Sequence, residues 1–350
     1  MTNEFKDKVI LITGGAGSIG SALVREILKY DIKTVRILDS HEFSLHKMEC
    51  SLSEEDRKKA RFFLGDVRDR YRLQTAMNGV DIVYHAAAYK HVHFCDYNPL
   101  EAIKTNVIGT QNAIDAASYN RVKKFIYIST DKAVNPIGTL GASKLLGEKI
   151  VTAANYYKGD LPTIFSSVRF GNVTMSNGSV IPSFLKQLKA GQPLTVTSSK
   201  MTRFLMPMEM AVHLIFKATE MMNGEEVFVL KMKSVNINDL AIGLAEEYMF
   251  INGGNTKKIN IKQIGRRAGE KIHEQLIVEE ESQRVVELDD ILIIMPAADL
   301  PYKVRHNPFL EMTKKVNPKK FSSEYKPMSK KQLQSFLSEN KIIEFSDKRI

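Results

Sequence analysis

The sequence is poor in cysteine and in long apolar runs, and both shortages narrow the kinds of protein it can encode. Its two cysteines, Cys50 and Cys95, lie far apart and lack the spacing of metal ligands. This usage is typical of a reducing compartment rather than of a disulfide-rich secreted domain. No run of about 18 apolar residues occurs, so no membrane span is expected. The charged N-terminus leads directly into an apolar segment, unlike a secretion signal, and we expect a cytoplasmic location.

The excess of positive charge is concentrated near the end of the chain. The formal net charge is +10, and the segment from Lys314 to Lys331 holds seven lysines against one acid, Glu324. Seven minus one gives six of the ten excess charges for this segment alone. Charge runs of this kind usually form solvated surface. The composition therefore predicts no nucleic-acid partner, and an anionic membrane or polymer is the alternative.

Short apolar segments alternate with helix-like segments through the first half of the 350-residue chain, 43% of which is hydrophobic. Such a chain can bury a large core. Strands that alternate with helices predict a parallel sheet covered on both faces, which is the doubly wound, Rossmann-type α/β fold. The predicted strands are residues 9–13, 34–38, 60–64, 82–85, 125–129 and 164–169.

The alternation becomes less regular beyond about residue 175, where glycine and proline are frequent. We predict a dinucleotide-binding Rossmann domain over residues 1–175 and a smaller, interleaved lobe over residues 176–308. A Lys-rich tail follows over residues 309–350. It contains one predicted short helix, capped by Ser329, whose apolar face carries Leu333, Phe336 and Leu337.

A glycine-rich turn follows the first predicted strand. Gly14, Gly17 and Gly20 have the spacing G-x-x-G-x-x-G between a strand and a helix. Glycine permits the tight turn and lets the backbone approach a pyrophosphate, which meets N–H groups at the helix N-terminus. In this context the motif predicts dinucleotide binding.

Acidic residues end the second and third predicted strands. Asp39 lies 19 residues after Gly20 and is placed to bind the adenosine ribose hydroxyls. Its carboxylate would repel a 2′-phosphate, which favours NAD, whereas the nearby Arg36 keeps NADP possible. Asp66, followed by Val67, is placed to accept a hydrogen bond from the adenine amine, although an ordinary turn residue would look the same.

Polar residues follow the fifth predicted strand as Thr130-Asp131-Lys132, and a helix begins near Gly141-Ala-Ser-Lys144. Residues at the end of a strand in such a sheet point into the ligand crevice. An Asp beside a Lys is otherwise an exposed turn pair.

Together with the glycine-rich turn, these segments resemble the UDP-N-acetylglucosamine 4,6-dehydratases, a capsular-polysaccharide (CapD-like) group of extended short-chain dehydrogenases/reductases. The resemblance covers roughly residues 8–300, and Thr-Asp-Lys is its most specific element. Many members carry an N-terminal membrane region, and this chain is expected to be the soluble catalytic form and a homo-oligomer. The other matching segments are residues 85–92, 98–106, 133–136, 169–172, 178–182, 201–204 and 269–274.

The resemblance implies NAD-dependent removal of water across C5 and C6 of the sugar, giving a 4-keto-6-deoxy nucleotide-sugar for polysaccharide or glycan biosynthesis. NAD would be regenerated within the reaction. Lys132 would be the base at C5 and Asp131 the acid at the C6 oxygen, while Thr130 would bond the sugar and Lys144 the nicotinamide ribose. Such a base must be neutral. Burial beside Lys144 and the positive nicotinamide is expected to lower the pKa of Lys132.

One residue departs from the broader class, which has a tyrosine four positions before the helix lysine. That tyrosine deprotonates the hydroxyl to be oxidised, and here the position is Leu140. Some dehydratases of the group also lack the tyrosine, and Asp131 would then take that proton. The alternatives are a UDP-sugar 4-epimerase, which normally relies on the tyrosine, and a non-catalytic dinucleotide-binding scaffold.

The implied partner is a UDP-sugar, most simply UDP-N-acetylglucosamine, bound mainly by the lobe of residues 176–308, and no metal is expected. Arginines suit the diphosphate, so Arg203 and Arg267 are its candidates. The predicted substrate-binding residues are Lys90, His91, Asn172, Ser179, Arg203, Arg267 and Glu270. The predicted cofactor-binding residues are Gly14, Gly17, Ser18, Ile19, Gly20, Asp39, Asp66, Val67, Ala86, Ala87 and Lys144.

Overall fold

The computed structural model describes residues 4–176, 178–252, 259–297 and 307–343. Strands and helices alternate from the start of the first range, as the apolar periodicity predicts. In the first half of the chain the elements are β1 Val9–Thr13, α1 Ser18–Ile27, β2 Thr34–Asp39, α2 Glu42–Ser51, α3 Glu54–Lys59, β3 Ala60–Leu64, α4 Arg70–Met77, β4 Ile82–His85, α5 Val92–Tyr97, α6 Pro99–Ile103, α7 Gly109–Tyr119, β5 Lys124–Ile128, α8 Thr139–Tyr157 and β6 Ile164–Arg169.

The second half contains shorter strands between its helices. Its elements are β7 Asn172–Val173, α9 Val180–Lys189, β8 Leu194–Val196, β9 Thr202–Met206, α10 Met208–Met221, β10 Val227–Leu230, β11 Lys233–Asn236, α11 Ile237–Ile251, β12 Ile261–Gln263, β13 Val285–Glu287, β14 Ile291–Ile294 and α12 Lys330–Glu339.

A nine-stranded sheet in the order β13-β14-β10-β6-β5-β4-β1-β2-β3 forms the centre of the molecule. The strands from β3 to β10 are parallel, and β14 and β13 close one edge in the antiparallel sense. This order confirms the predicted Rossmann-type fold. From β1, the strands β2 and β3 extend to one side of the sheet, and β4, β5 and β6 extend to the other side. Where the strand order reverses in this way, a crevice opens at the carboxyl ends of the strands.

The chain beyond residue 175 contributes both to this sheet and to a second core. Strands β10, β13 and β14 lie in the large sheet, whereas β7, β9 and β11 form a separate three-stranded sheet. Helices α9, α11 and α12 pack their apolar faces together, and the buried side chains there include Leu240 and Leu244. The chain after residue 175 therefore alternates between the large sheet and the second core.

The predicted helix in the C-terminal segment is confirmed as α12. Ser329 caps it with a capping box, and Leu333, Phe336 and Leu337 are buried against the second core. Before this helix, the segment runs along the molecule: Lys314 bridges to Val285 of β13, and Ser322 bridges to Gln275. We call residues 313–343 the C-terminal strap. Its seven lysines between positions 314 and 331 are exposed, as expected for a solvated charge run.

Within the described ranges, no helix combines the length and the apolar composition that crossing a bilayer requires.

Candidate active site

A cleft of about 790 Å³ runs along the carboxyl ends of the parallel strands. Every residue of the predicted cofactor-binding and substrate-binding sets lines it, as do Thr130, Lys132 and Lys144. Asp131 is the exception among the predicted site residues, because its side chain is fully buried beneath the cleft surface. Residues distant in the sequence thus meet in one space.

The glycine-rich turn forms a cradle that side chains would fill. Gly14 has φ +63°, and a Cβ atom there would lie 2.7 Å from the Cα of Ala87. A Cβ atom on Gly20 would collide with the carbonyl oxygen of Gly14. Helix α1 follows with Gly17 as its N-cap, no side-chain cap and no acidic residue in its first turn. This helix N-terminus suits an anionic pyrophosphate.

Asp39 lies at the margin of this cradle, with both carboxylate oxygens held by backbone donors. Oδ2 accepts from the N–H of Ala16 and Oδ1 from that of His41, both at 3.0 Å. Arg36 does not face the cleft. Its Nη1 donates to the carbonyl oxygens of Ala76 and Asn78, both at 2.7 Å.

Shortly after β5, Asp131–Ala133 forms a 3₁₀ turn with Thr130 as its N-cap. Thr130 Oγ1 donates to Asp131 Oδ1 at 3.1 Å, and Lys132 Nζ donates to the same oxygen at 2.9 Å and to Asn172 Oδ1 at 3.3 Å. Asp131 Oδ2 has no hydrogen-bond partner among the described residues. The lysine faces the cleft, and the carboxylate lies behind it.

The protonation of Lys132 differs from the sequence-based expectation. Burial lowers the pKa of this amine, but the carboxylates of Asp131 and Glu274 outweigh burial and raise it overall. The predicted lowering is therefore wrong here, because the motif did not show that a second carboxylate lies close to the lysine. Lys132 and Asp131 form an ion pair.

Burial lowers the pKa of Lys90, which lines the cleft, and it also lowers the pKa of Lys144. The amine of Lys144 is buried, donates to the carbonyl oxygen of Ile128 at 2.8 Å and lies 4.6 Å from the ring centroid of Tyr127. Burial lowers the pKa of Lys144 to about 8.

One turn earlier, Leu140 lines the cleft and packs in a small apolar cluster with Cys95. Leucine has no ionisable group, so Leu140 cannot accept or donate a proton in the reaction.

Three of the predicted substrate-binding residues, Arg203, Arg267 and Glu270, line the cleft from β9 and from the loop after β12. The guanidinium of Arg203 is nearly buried and donates to the carbonyl oxygens of Thr202, Ile272 and Lys271. It is thus a fixed positive charge. Arg267 and Glu270 lie on the loop after β12, where Glu270 Oε2 accepts from the N–H of Arg267 at 3.3 Å.

Sequence reasoning gave no role to Glu274, the last residue of the matching segment 269–274. Its side chain is 2% exposed, and Oε1 lies 3.8 Å from Lys132 Nζ and 3.9 Å from Arg203 Nε. Its position in the segment 269–274, which matches the family, is the sequence feature that could have indicated a role for it.

A buried ion network beneath the cleft was also missed. Arg169 at the end of β6 pairs with Glu148 of α8 at 2.6 Å and with Glu281 at 2.9 Å. Ser129, which precedes the Thr130-Asp131-Lys132 segment, donates to Glu148 at 2.5 Å. The network joins the ends of β5 and β6 to α8. Among the described residues, no group of three or more His, Cys, Asp and Glu side chains is arranged to hold a metal.

A family model described as "Polysaccharide biosynthesis protein" matches residues 10–296. The chain is 51% identical to an "Uncharacterized membrane protein" of Methanocaldococcus jannaschii over 85% of this chain and 88% of that one. It is 42% identical to a UDP-N-acetylglucosamine 4,6-dehydratase (inverting) of Campylobacter jejuni, with 85% of each chain covered. It is 41% identical to a UDP-glucose 4-epimerase of Rickettsia rickettsii, with 89% of each covered.

Two solved structures extend these similarities. The X-ray structure of Pen from Bacillus thuringiensis superposes with a TM-score of 0.89 at 37% identity, covering 97% of this chain and 99% of that one. A dTDP-glucose 4,6-dehydratase from Streptomyces venezuelae, solved with NAD and TYD bound, has a TM-score of 0.66 at 22% identity, covering 75% and 86%. The second similarity concerns the fold alone.

Proposed function

The chain belongs to the polysaccharide biosynthesis protein family, and from that premise we propose that it is an NAD-dependent 4,6-dehydratase of a UDP-N-acetylhexosamine, with UDP-N-acetylglucosamine as the first substrate to test. The observation that carries the proposal is the pair of Lys132 and Asp131, joined at 2.9 Å at the end of β5. The amine faces the cleft that also contains the glycine-rich cradle and Lys144.

The residues of the cradle fit NAD. Gly14, Gly17 and Gly20 would admit the pyrophosphate, Asp39 would bind the adenosine ribose, and Lys144 the nicotinamide ribose. When bound, NAD supplies the acceptor and later the donor of a hydride. Because Arg36 is turned away from the cleft and Asp39 is anionic, the site favours NAD over NADP.

Elimination of water needs a base at C5 and an acid at the C6 oxygen. Lys132 supplies the base. Asp131 is connected to the cleft through the hydroxyl of Thr130, which lines the cleft and contacts Asp131 Oδ1 at 3.1 Å. A proton can therefore pass from Asp131 to Thr130 while Thr130 gives its own proton to the leaving oxygen.

The ion pair stores the protons for this step. An ammonium with a carboxylate holds as many protons as an amine with a carboxylic acid, so one proton crossing the 2.9 Å hydrogen bond produces the base and the acid together. A substrate that displaces water favours this neutral form, because burial penalises charge. Oxidation at C4 would release the 4-hydroxyl proton to solvent at the open cleft. During elimination Lys132 gains the C5 proton and Asp131 loses its own, which restores the ion pair. Lys132 would then return a proton to C5 when the hydride is returned to C6, and it would regain a proton from solvent.

The uridine diphosphate would lie in the part of the cleft lined by Arg203, Arg267 and Glu270. The fixed positive charge of Arg203 would attract the diphosphate without reorganisation, because its guanidinium is already held by backbone carbonyls. The residues in the range 176–308 would thus supply the main contacts to the nucleotide-sugar.

The second candidate is a UDP-sugar 4-epimerase, which the 41% identity to the Rickettsia enzyme favours. Two residues favour dehydration instead: Leu140 cannot deprotonate the 4-hydroxyl, and an epimerase has no need of a C5 base such as Lys132. The test is incubation of the protein and NAD with UDP-N-acetylglucosamine in D₂O, followed by mass spectrometry and NMR.

Dehydration predicts a product lighter by one water, with deuterium at C5. A product of unchanged substrate mass with an inverted C4 centre would replace the proposal with epimerisation. If the substrate is unchanged and NAD binds, the protein is a dinucleotide-binding scaffold or acts on another sugar, and UDP-glucose is the next substrate to try.

We also propose that the chain forms a homo-oligomer. Helices α5, α6 and α8 contact one another and expose Phe94 (60%), Tyr97 (87%), Leu100 (61%) and Leu146 (49%). Large apolar side chains grouped on one surface are typical of an interface. Light scattering after size-exclusion chromatography should give a mass above one chain, and Leu100→Ser should lower it.

A further inference from the structure

Glu274 is a buried carboxylate surrounded by three cationic side chains of the cleft. Oε1 lies 3.8 Å from Lys132 Nζ and 3.9 Å from Arg203 Nε, and Oε2 lies 3.4 Å from Lys271 Nζ. A buried carboxylate without such partners would be strongly destabilising. Here three cationic partners surround it, so a second carboxylate acts on Lys132 in addition to that of Asp131.

The C-terminal strap fixes the position of this carboxylate. The N–H of Ser323 donates to the carbonyl oxygen of Glu274, and the N–H of Glu274 donates to Ser323 Oγ, both at 2.8 Å. Ser323 is fully buried, and its Oγ also lies 2.7 Å from Thr202 Oγ1, next to Arg203 on β9. The strap thus ties the loop that bears Glu274 to the strand that bears Arg203.

We propose that Glu274 is a positioning residue of the reaction centre: it holds the ammonium of Lys132 in the cleft and stabilises the ion-pair form of Lys132 and Asp131 before the sugar binds. This inference rests on the proposed function, in which that pair carries the protons of the elimination. The charged groups that face Lys132 are Asp131, Glu274 and Arg203, and Lys271 faces Glu274 from its other side.

The inference makes a signed prediction about pH. A nearby negative charge stabilises the ammonium of Lys132, so its removal should lower the pKa of Lys132. In Glu274→Gln, the limb of the profile of kcat against pH that reports Lys132 should therefore move to lower pH, by about 1 pH unit or more. A residue that only supports the fold would lower kcat at every pH and leave the limbs in place.

The experiment measures dehydration of UDP-N-acetylglucosamine against pH for the wild type, Glu274→Gln and the control Glu280→Gln. Glu280 lies nearby in sequence but is 80% exposed and pairs only with Arg284 among the described residues, so its substitution should leave the profile unchanged.

A second readout needs no turnover. The pH titration of Lys132 is followed by NMR of protein labelled with ¹³C at lysine Cε, with Lys132→Arg used to assign the signal.

Glu274→Gln should lower the titration midpoint of Lys132, whereas Glu280→Gln should not. An unchanged midpoint and unmoved limbs in Glu274→Gln would overturn the inference, even if kcat falls. If the wild type removes no water but the midpoint still falls, the proposed function fails and the electrostatic role stands. Should Glu274→Gln not fold by circular dichroism, Glu274→Asp withdraws the charge by one methylene and must move the midpoint in the same direction.

Discussion

Replacement of Lys132 by glutamine separates the elimination from the hydride transfer that precedes it. The glutamine amide can still donate a hydrogen bond to Asp131, which is fully buried, so the local geometry has a replacement donor. What is lost is the base at C5. Loss of a general base typically costs about 100- to 10,000-fold in rate, or about 3 to 5 kcal/mol in the activation free energy.

The assay follows water loss by mass spectrometry and bound NADH by its near-ultraviolet absorbance, with enzyme and UDP-N-acetylglucosamine mixed in a single turnover. Because oxidation at C4 does not need Lys132, Lys132→Gln should accumulate NADH while losing dehydration. Lys123→Gln is the matched control, since Lys123 is 63% exposed and pairs with Asp81 at 3.3 Å on the surface. A dehydration rate in Lys132→Gln within about tenfold of the wild type would refute the assignment of the base.

Three further outcomes follow from the structure. Gly14→Ala should weaken NAD binding at least about tenfold in calorimetry, because the residue has φ +63° and its Cβ atom would lie 2.7 Å from Ala87 Cα; unchanged affinity would exclude the cradle as the pyrophosphate site. Leu337→Ala in the strap, where the side chain is fully buried, should lower the free energy of unfolding by about 2 to 5 kcal/mol in urea titrations and leave NAD affinity unchanged. Burial raises the pKa of Glu225 to about 7, with Tyr156 donating to it at 3.3 Å. Because the folded-state pKa of this acid is raised, its stabilising contribution is present below the unfolded pKa and is lost as pH rises through about 7. Glu225→Gln should therefore raise Tm relative to the wild type more at pH above about 7 than at acidic pH. An equal change in Tm at the two pH values would contradict a burial-raised pKa of Glu225.

The fold and the outline of the cleft could be predicted because their signals are local. Each apolar run that was predicted as a strand in the first half is a strand, with β5 beginning and ending one residue earlier than expected. The glycine-rich turn, Asp39 and Thr130 all lie at or just after strand ends. The parallel topology then brings those ends to one edge of the sheet, whatever the details of packing.

The electrostatics of the site could not be predicted, because they depend on contacts between residues far apart in sequence. Glu274 follows Lys132 by 142 positions, and nothing near the lysine indicates that a second carboxylate would raise its pKa. Arg36 looked available for NADP, but its direction is set by the carbonyls of Ala76 and Asn78. Likewise, the buried carboxylate of Asp131 lies next to Gly171, where a Cβ atom would be 3.2 Å from Asp131 Oδ2.

The two hydrogen bonds between Ser323 and Glu274 have a consequence for biosynthesis. A ribosome releases the glycine-rich turn, the Thr130-Asp131-Lys132 segment and the loop of Glu274 well before it releases position 323. An unfinished chain thus contains the residues that line the cleft but lacks the segment that fixes one of its charges. Competence for the proposed reaction would then appear only when translation is nearly complete. A message cut short before that serine would also remove α12, and with it the buried Leu333, Phe336 and Leu337 of the second core.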